Sequence, residues 1–183
     1  MRAGVALLSE KGFSATGLEQ ILQQVGVPKG SFYHYFTSKN EFGLAIIDAY
    51  ADYFAKRLDR AFVHTNLSPL SRIKFFMDDA RAGMARFDFR RGCVVGNLGQ
   101  EMGSLPNIFQ EQLHGVLLDW QRRTALVFAE AQSVGELDAR HNCESLAAFF
   151  WIGWEGVVLR AKLERSPDPI DIFSETFMAL LTR

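Results

Sequence analysis

Residues 27–36 read VPKGSFYHYF, inside the longer run GLEQILQQVGVPKGSFYHYFTSKNEFGLAI at 17–46. Within 32–36 four aromatic rings and a histidine follow one another, directly after a Lys-Gly-Ser triplet. Rings this dense are normally buried, yet the lysine, the serine, the two phenols and the imidazole all need polar partners. Three readings are open: a piece of core, a metal or catalytic cluster, or a surface that grips another molecule. Pro28 suits the first turn of a helix, where its missing N–H would be unpaired anyway. On a helix begun there, Phe32 and Phe36 lie four apart and share one face. Lys29 and Tyr33 share another, beside Gly30 and His34. That second face offers an ammonium, a phenol, an imidazole and approachable backbone, the groups that meet phosphates and base edges. If all four aromatics are core instead, the Tyr33 and Tyr35 hydroxyls lack partners. A metal site has little support, because His34 has no second His, Cys or carboxylate at i+3 or i+4.

Outward from this stretch, the pattern is helical almost throughout. Leu18, Ile21, Leu22 and Val25 fall at i, i+3, i+4 and i+7, and Gly26 ends that short helix. A short helix, a glycine-bearing turn and a second short helix is the layout of a helix-turn-helix. Before it, residues 2–11 carry Val5, Ala6 and Leu8 at helical spacing, closed by Gly12. After it, Ser38 can cap the next helix, with Glu41 completing a capping box, and an amphipathic stretch runs to about 63. TNLSP at 65–69 is a loop, 69–87 is helical, DFRRG at 88–92 is a turn, and 92–103 is a short Gly-bearing helix. Pro106 opens a long helix to about 133, and VGELDARHN at 134–142 is a connection. Residues 143–165 form an apolar helix with Trp151 and Trp154, PDP at 167–169 breaks it, and 168–181 is the last helix. No segment alternates as a strand, and there is no Asn-Gly hairpin turn. The expected fold is all-α: a helix-turn-helix domain at 1–45 and a domain of longer helices at 46–183.

Composition bounds the function. Apolar residues make up 48% of the chain and charged ones 22%, enough to bury a sizeable core. With 20 basic against 21 acidic residues there is no global basic field, so nucleic-acid binding has to use a local patch. Within 1–47, Arg2, Lys11, Lys29 and Lys39 oppose Glu10, Glu19 and Glu41, a net of +1. Cys93 and Cys143 make neither a disulfide framework nor a four-ligand zinc site and suit a reducing cytosol. MRAGVALLSEKGF lacks the pattern of a secretory signal, and no apolar run approaches the roughly 20 residues of a membrane span. A cytoplasmic chain without membrane contact, metal or cofactor is expected.

The 17–46 run resembles the helix-turn-helix of TetR-family transcriptional regulators. The matching residues are Gly26, Val27, Lys29, Gly30, Ser31, Phe32, Tyr33, Tyr35, Phe36, Ser38 and Lys39. The resemblance implies a homodimeric repressor, not an enzyme. It would bind a double-stranded DNA operator with an inverted repeat and be released by a small-molecule or electrophile inducer. It places DNA contacts at Lys29, Gly30, Ser31, Tyr33, His34, Tyr35 and Lys39, and core positions at Phe32 and Phe36. Gly17 stands where the family usually has a threonine that caps the second helix and touches a phosphate, so Thr16 or the Gly17 backbone N–H is expected to take that part. Leu22 replaces a usual alanine. Members typically carry several more residues, often basic, before the first helix; such residues would raise the positive charge of this zone. The resemblance also makes 46–183 a regulatory and dimerisation domain whose last two helices form a four-helix bundle with a second subunit. Gly153 and Gly156 would permit close approach there; burial within one chain is the alternative.

Residues 88–103, DFRRGCVVGNLGQEMG, put Cys93 at an expected helix start after Arg90 and Arg91. A helix N-terminus and nearby cations both favour a thiolate. With VLRAKLERSPDP at 158–169, this segment resembles the NemR/AcuR-like branch of the family. That branch answers reactive electrophiles, hypochlorite-type oxidants or acrylate-type compounds. The resemblance makes Cys93 the candidate sensor thiol and Lys162 its partner. The alternatives are a small buried apolar residue and a solvated helix lysine. Asn97, Gln100, Glu101, Trp120, Arg123, Trp151 and Trp154 lie on the helices that surround the family's ligand cavity and are candidates to line it, or ordinary core and surface. Two further classes remain: a small helical enzyme with Cys93 as nucleophile, and a helical protein-interaction module. Against the enzyme, His64, His114 and His141 are scattered, with no evident pairing to Cys93.

Overall fold

Gly26 sets the corner inside the helix-turn-helix. In this computed structural model, which describes residues 1–63 and 66–181, it adopts φ 66° and ψ 28°. Its N–H donates to the Gln23 carbonyl, and Val27 N–H donates to the Leu22 carbonyl. That pair of bonds is a Schellman cap, which a left-handed glycine completes without steric cost. It closes α2 (Leu18–Val25) and delivers the chain into α3 (Lys29–Tyr35), with α1 (Arg2–Lys11) packed against α2. These three helices form the head. Leu7, Leu8, Phe13, Ile21, Leu22, Phe32 and Phe42 are buried in its core.

α4 (Lys39–Phe62) runs without interruption from the head into the body. Its N-cap is as expected: Ser38 Oγ accepts from Glu41 N–H at 3.1 Å. The capping box is shifted, however. The Glu41 carboxylate reaches Thr37 N–H and Oγ1, both at 2.6 Å, instead of the Ser38 N–H. Those bonds hold the Glu41 carboxyl below its ordinary pKa.

The body comprises α5 (Pro69–Ala85), α6 (Val94–Gly99), α7 (Asn107–Ser133), α8 (Cys143–Glu164) and α9 (Asp168–Leu181). α7, α8 and α9 pack in sequence, with α4 and α5 completing a bundle around Phe76, Phe128, Phe150, Trp120 and Trp151. Among the described residues every regular element is helical, and no helix is long and apolar enough to cross a membrane. His64 and Thr65, the latter in the expected TNLSP loop, lie outside the described residues.

Two helix ends differ from expectation. α5 stops at Ala85, because Asp88 and Phe89 turn to φ 51° and 53°; burial of the Phe89 ring holds this uncommon conformation. α6 stops at Gly99 and gives way to turns closed by Glu101 N–H to the Leu98 carbonyl and Ser104 N–H to the Glu101 carbonyl. Gly99 and Gly103 favour that early end, since glycine is a weak helix former.

Candidate nucleic-acid interface and effector cavity

α3 is divided between two environments. Phe32 is 5% exposed, with ring centroids 5.3 Å from Phe36 and 5.4 Å from Phe42. On the outer side Tyr33 is 51% and Tyr35 74% exposed, and Lys29, Gly30, Ser31 and His34 are exposed with them. A Cβ built on Gly30 would meet nothing within 4 Å, so the backbone there is open to close approach. Lys29 pairs with Glu19 at 3.2 Å, but both side chains are solvated and the pair is easily given up for a phosphate. Phenols, a hydroxyl, an imidazole and an ammonium thus stand on one surface of a helix held from behind by two rings.

Two residues expected at DNA are engaged within the chain. Thr16 is fully buried, and its hydroxyl donates to the Gly12 carbonyl at 2.6 Å, so it neither caps α2 nor reaches a phosphate. Gly17, exposed and without a side-chain bond, is the N-cap. Lys39 is not a free cation. Its Nζ donates to the Phe13 carbonyl at 2.8 Å and lies 4.3 Å from the centre of the Phe13 ring. Partial burial lowers its pKa.

A seam of polar bonds joins the head to the body. The Glu101 carboxylate accepts from Phe13 N–H at 2.8 Å and Ser14 N–H at 2.7 Å, clamping the α1–α2 turn. A Cβ on Gly12 would fall 2.1 Å from that carboxylate. Asn97 Nδ2 donates to the Leu8 and Ser9 carbonyls, both at 2.8 Å, and Gly92 N–H donates to Ser9 at 2.9 Å. Lys162 Nζ donates to the Ser9 carbonyl at 3.3 Å and to Asn97 Oδ1 at 3.4 Å. These groups satisfy carbonyls of the last turn of α1, where a cation is also favoured by the helix dipole. Asn97 and Glu101, expected around a ligand, and Lys162, expected beside the Cys93 thiol, therefore fasten α1 and the turn after it to α6, the chain after α6 and α8.

Beside this seam lies a cavity of about 440 Å³, bounded by α1, α4, α5, α8 and the chain before α6. Its rim carries Arg2, Arg57, Arg60, Arg86 and Arg91, and its lining includes Tyr50, Phe54, Trp154 and Val158. Arg57 Nε is held by Asp79 at 2.7 Å. Cys93 and Glu155 line both this cavity and a small pocket of about 30 Å³ that also touches Asn97, Gln100 and Lys162.

The expectation of a cation-activated thiolate is reversed here. Cys93 is buried and its pKa is pushed well above the ordinary thiol value, first by burial and then by the Glu155 carboxylate. Its Sγ does accept from Gly96 N–H at 3.5 Å, a weak opposing influence. Arg90 is exposed; Arg91 turns to the Phe87 ring at 3.9 Å and to Glu10 at 3.8 Å. Burial raises the Glu155 pKa to about 7, and both its oxygens are buried without a hydrogen-bonding partner. Burial lowers the Lys162 pKa.

The remaining candidates divide. Trp154 lines the cavity and Gln100 the small pocket. Trp120 and Trp151 are core: Trp120 lies 4.2 Å from Phe54 and 4.9 Å from Trp151, whose Nε1 donates to Thr124 Oγ1 at 2.9 Å. Arg123 joins α4 to α7 through Asp119 at 2.6 Å and Asp59. Cys143 Sγ donates to Gln132 Oε1 at 3.1 Å. Sequence reasoning missed Tyr50, Arg57, Asp79 and Glu155. Only Glu155 left a signal, a lone carboxylate in the apolar run AAFFWIGWEGVVL.

On the far side, Phe149, Ile152, Leu159 and Leu163 of α8 and Ile172 and Leu180 of α9 are 45–79% exposed. Gly156 sits open among them. Gly153 does not: a Cβ there would come within 2.6 Å of the Phe173 ring, so its close approach is made within the chain, to α9.

Comparison with known proteins agrees with this architecture. Residues 1–46 match the family described as bacterial regulatory proteins, tetR family. Residues 69–177 match the tetracyclin repressor-like C-terminal domain. The chain is 58% identical to the transcriptional regulator AcuR of Cereibacter sphaeroides, over 97% of this chain and 81% of that protein. It is 25% identical to the HTH-type transcriptional repressor NemR of Escherichia coli, over 93% of this chain and 86% of that one. The crystal structure of a regulatory protein TetR from Rhodobacter sphaeroides superposes with a TM-score of 0.96 at 58% identity, covering 97% of this chain and 94% of that one.

Proposed function

The chain belongs to the TetR family of transcriptional regulators, and from that premise we propose that it is a homodimeric repressor released from an inverted-repeat operator by a small inducer. The observation that carries the reading is the division of α3: Phe32 anchors it from behind, while Lys29, Gly30, Ser31, Tyr33, His34 and Tyr35 face outward. A recognition helix docks with such a face in the major groove, and a two-fold dimer sets two of them about one DNA turn apart. The exposed apolar stripe of α8 and α9 supplies a self-complementary face for that dimer.

The cavity is the inducer site in this reading. Its arginine rim and aromatic lining suit a small molecule with a carboxylate or a reactive carbonyl end. The resemblance to the branch answering electrophiles and acrylate-type compounds supports the same class. Coupling runs through the seam. Cys93, Glu155 and Trp154 line the cavity, and Asn97 and Lys162, beside the same thiol, hold the last turn of α1. An occupant that shifts α6 or α8 moves α1 and, through α4, the reading helix. A differential affinity of about 1–3 kcal/mol between the two head positions is enough for regulation.

Selection of genomic fragments by the purified protein, with and without acrylate or methylglyoxal, tests this. Enrichment of a palindrome that is lost with inducer is expected. Enrichment of no sequence rules out the operator, and indifference to every small electrophile or carboxylate rules out the inducer site.

A further inference from the structure

Among the described residues Glu155 is the ionisable one with buried side-chain oxygens that lack a hydrogen-bond partner. Both carboxylate oxygens are buried and neither accepts a hydrogen bond. An unpaired buried carboxylate is costly, and such groups persist where they act. Its position is built for: a Cβ on Gly96 would lie 2.0 Å from Glu155 Oε2 and 3.6 Å from Cys93 Cβ. Glycine at 96 therefore lets the carboxylate sit against the first turn of α6, next to the Cys93 side chain. The Cys93 side chain is the neighbour that favours the ionised carboxylate against the burial that opposes it, and the Tyr50 hydroxyl faces the same sulfur. Thiol and carboxylate both open on the cavity of about 440 Å³.

We propose that Glu155 is the proton acceptor that makes the buried Cys93 thiol react with small α,β-unsaturated carbonyl compounds in the cavity. The inference rests on the reading of that cavity as the inducer site. In the step, the Cys93 proton passes to the Glu155 carboxylate while the sulfur electron pair forms an S–C bond at the β-carbon. The π pair of the alkene moves onto the α-carbon and carbonyl oxygen as an enolate. Glu155 then returns the proton to the α-carbon. The product is a thioether, Glu155 is again a carboxylate, and nothing is oxidised or reduced. Burial denies Cys93 a thiolate of its own near neutral pH, so a local base is what the chemistry lacks.

Other charged and titratable groups face the same cavity. Tyr50, Arg57 and Arg60 face the cavity from α4, Asp79 from α5, Arg86 from the turn after α5, Arg2 from α1, and Arg91 from the chain before α6. Arg57 is held by Asp79 and Arg91 by Glu10, and Lys162 on α8 touches only the small pocket. Glu155 titrates at about 7, so reactivity should rise through neutral pH and then level off.

The test uses the full chain carrying Cys143→Ser, which removes the only other thiol in the sequence. Acrylamide is the probe, adduct formation is followed by intact mass across a pH series, and saturated propionamide is the unreactive control. Expected are one adduct, absent in Cys93→Ser, and a rate that follows a group titrating near 7. Glu155→Gln should slow it by on the order of a hundredfold and move its pH dependence up towards the thiol itself. Glu155→Asp, which keeps a carboxylate, should retain the break near neutral pH. An unchanged rate and profile in Glu155→Gln would overturn the proposal, as would an adduct in Cys93→Ser.

Operator release is scored in parallel. Release by acrylamide without any adduct leaves the inducer cavity standing and defeats this inference. A Glu155-dependent adduct with no effect of any small ligand on the operator supports this inference and defeats the inducer reading.

Discussion

Phe32 and Tyr33 are neighbours in sequence and opposites in surroundings, 5% and 51% exposed. Phe32→Ala should cost about 3–5 kcal/mol by emptying the head core, and urea unfolding will measure it. Tyr33→Ala should leave unfolding within about 0.5 kcal/mol. Equal losses in the two variants would show that the helix is not divided as described. This division was legible because the 3.6-residue period alone separates 32 and 36 from 29 and 33. Thr16 and Lys39 are engaged within the chain by the Gly12 and Phe13 carbonyls, backbone groups that no sequence pattern announces. Glu155 adds a pH dependence. Its carboxyl titrates at about 7 in the fold against 4.5 when free, so between those values the folded chain holds a proton that the unfolded chain has released. Its contribution is therefore fullest below the lower value and is lost as pH rises through the higher one, by about 3 kcal/mol in all. Relative to wild type, Glu155→Gln should gain stability from about pH 5 to 8; a constant difference between the two proteins would contradict the buried, unpaired carboxylate.

At the scale of elements, two glycines carry opposite expectations. Gly30 lies in α3 with open space where a Cβ would be. Gly30→Ala should raise stability by about 0.5–1 kcal/mol through helix propensity and still weaken operator binding, because the methyl group occupies the surface that meets DNA. Gly96→Ala should lose stability and inducer response together, since its Cβ collides with Glu155. Gly30→Ala with undiminished operator affinity would remove α3 from the interface. Most helices were readable because Gly12, Gly26, Pro28, Pro69 and Pro106 mark their ends. α6 was drawn too long, to 103, because the demand of the α1–α2 turn on Glu101 comes from residues 87 and 88 positions away. Of the two readings open for Gly153, close approach within one chain is the one met, because the Phe173 ring of α9 fills that site.

Across the whole molecule, the cavity could not be read from sequence. Arg2, Arg57, Asp79, Cys93 and Glu155 come from five separate segments and meet only once α1, α4, α5 and α8 are packed. The apolar stripe was legible, since apolar residues on α8 exceed what one buried face needs; its part as a dimer face belongs to the proposed function. Ile152, 73% exposed, stands in that stripe, and Ile152→Glu should yield a folded monomer by sedimentation. A variant that stays dimeric would place the interface elsewhere. In the proposed function the outer face of α3, carried in pairs by the dimer, reads an operator. This is tested most directly by titrating the selected palindromic fragment, at one fixed salt concentration, with wild type and Tyr33→Ala. Tyr33→Ala should bind at least about tenfold more weakly while remaining a folded dimer; equal affinity of the two proteins for that fragment would remove the α3 face from operator recognition.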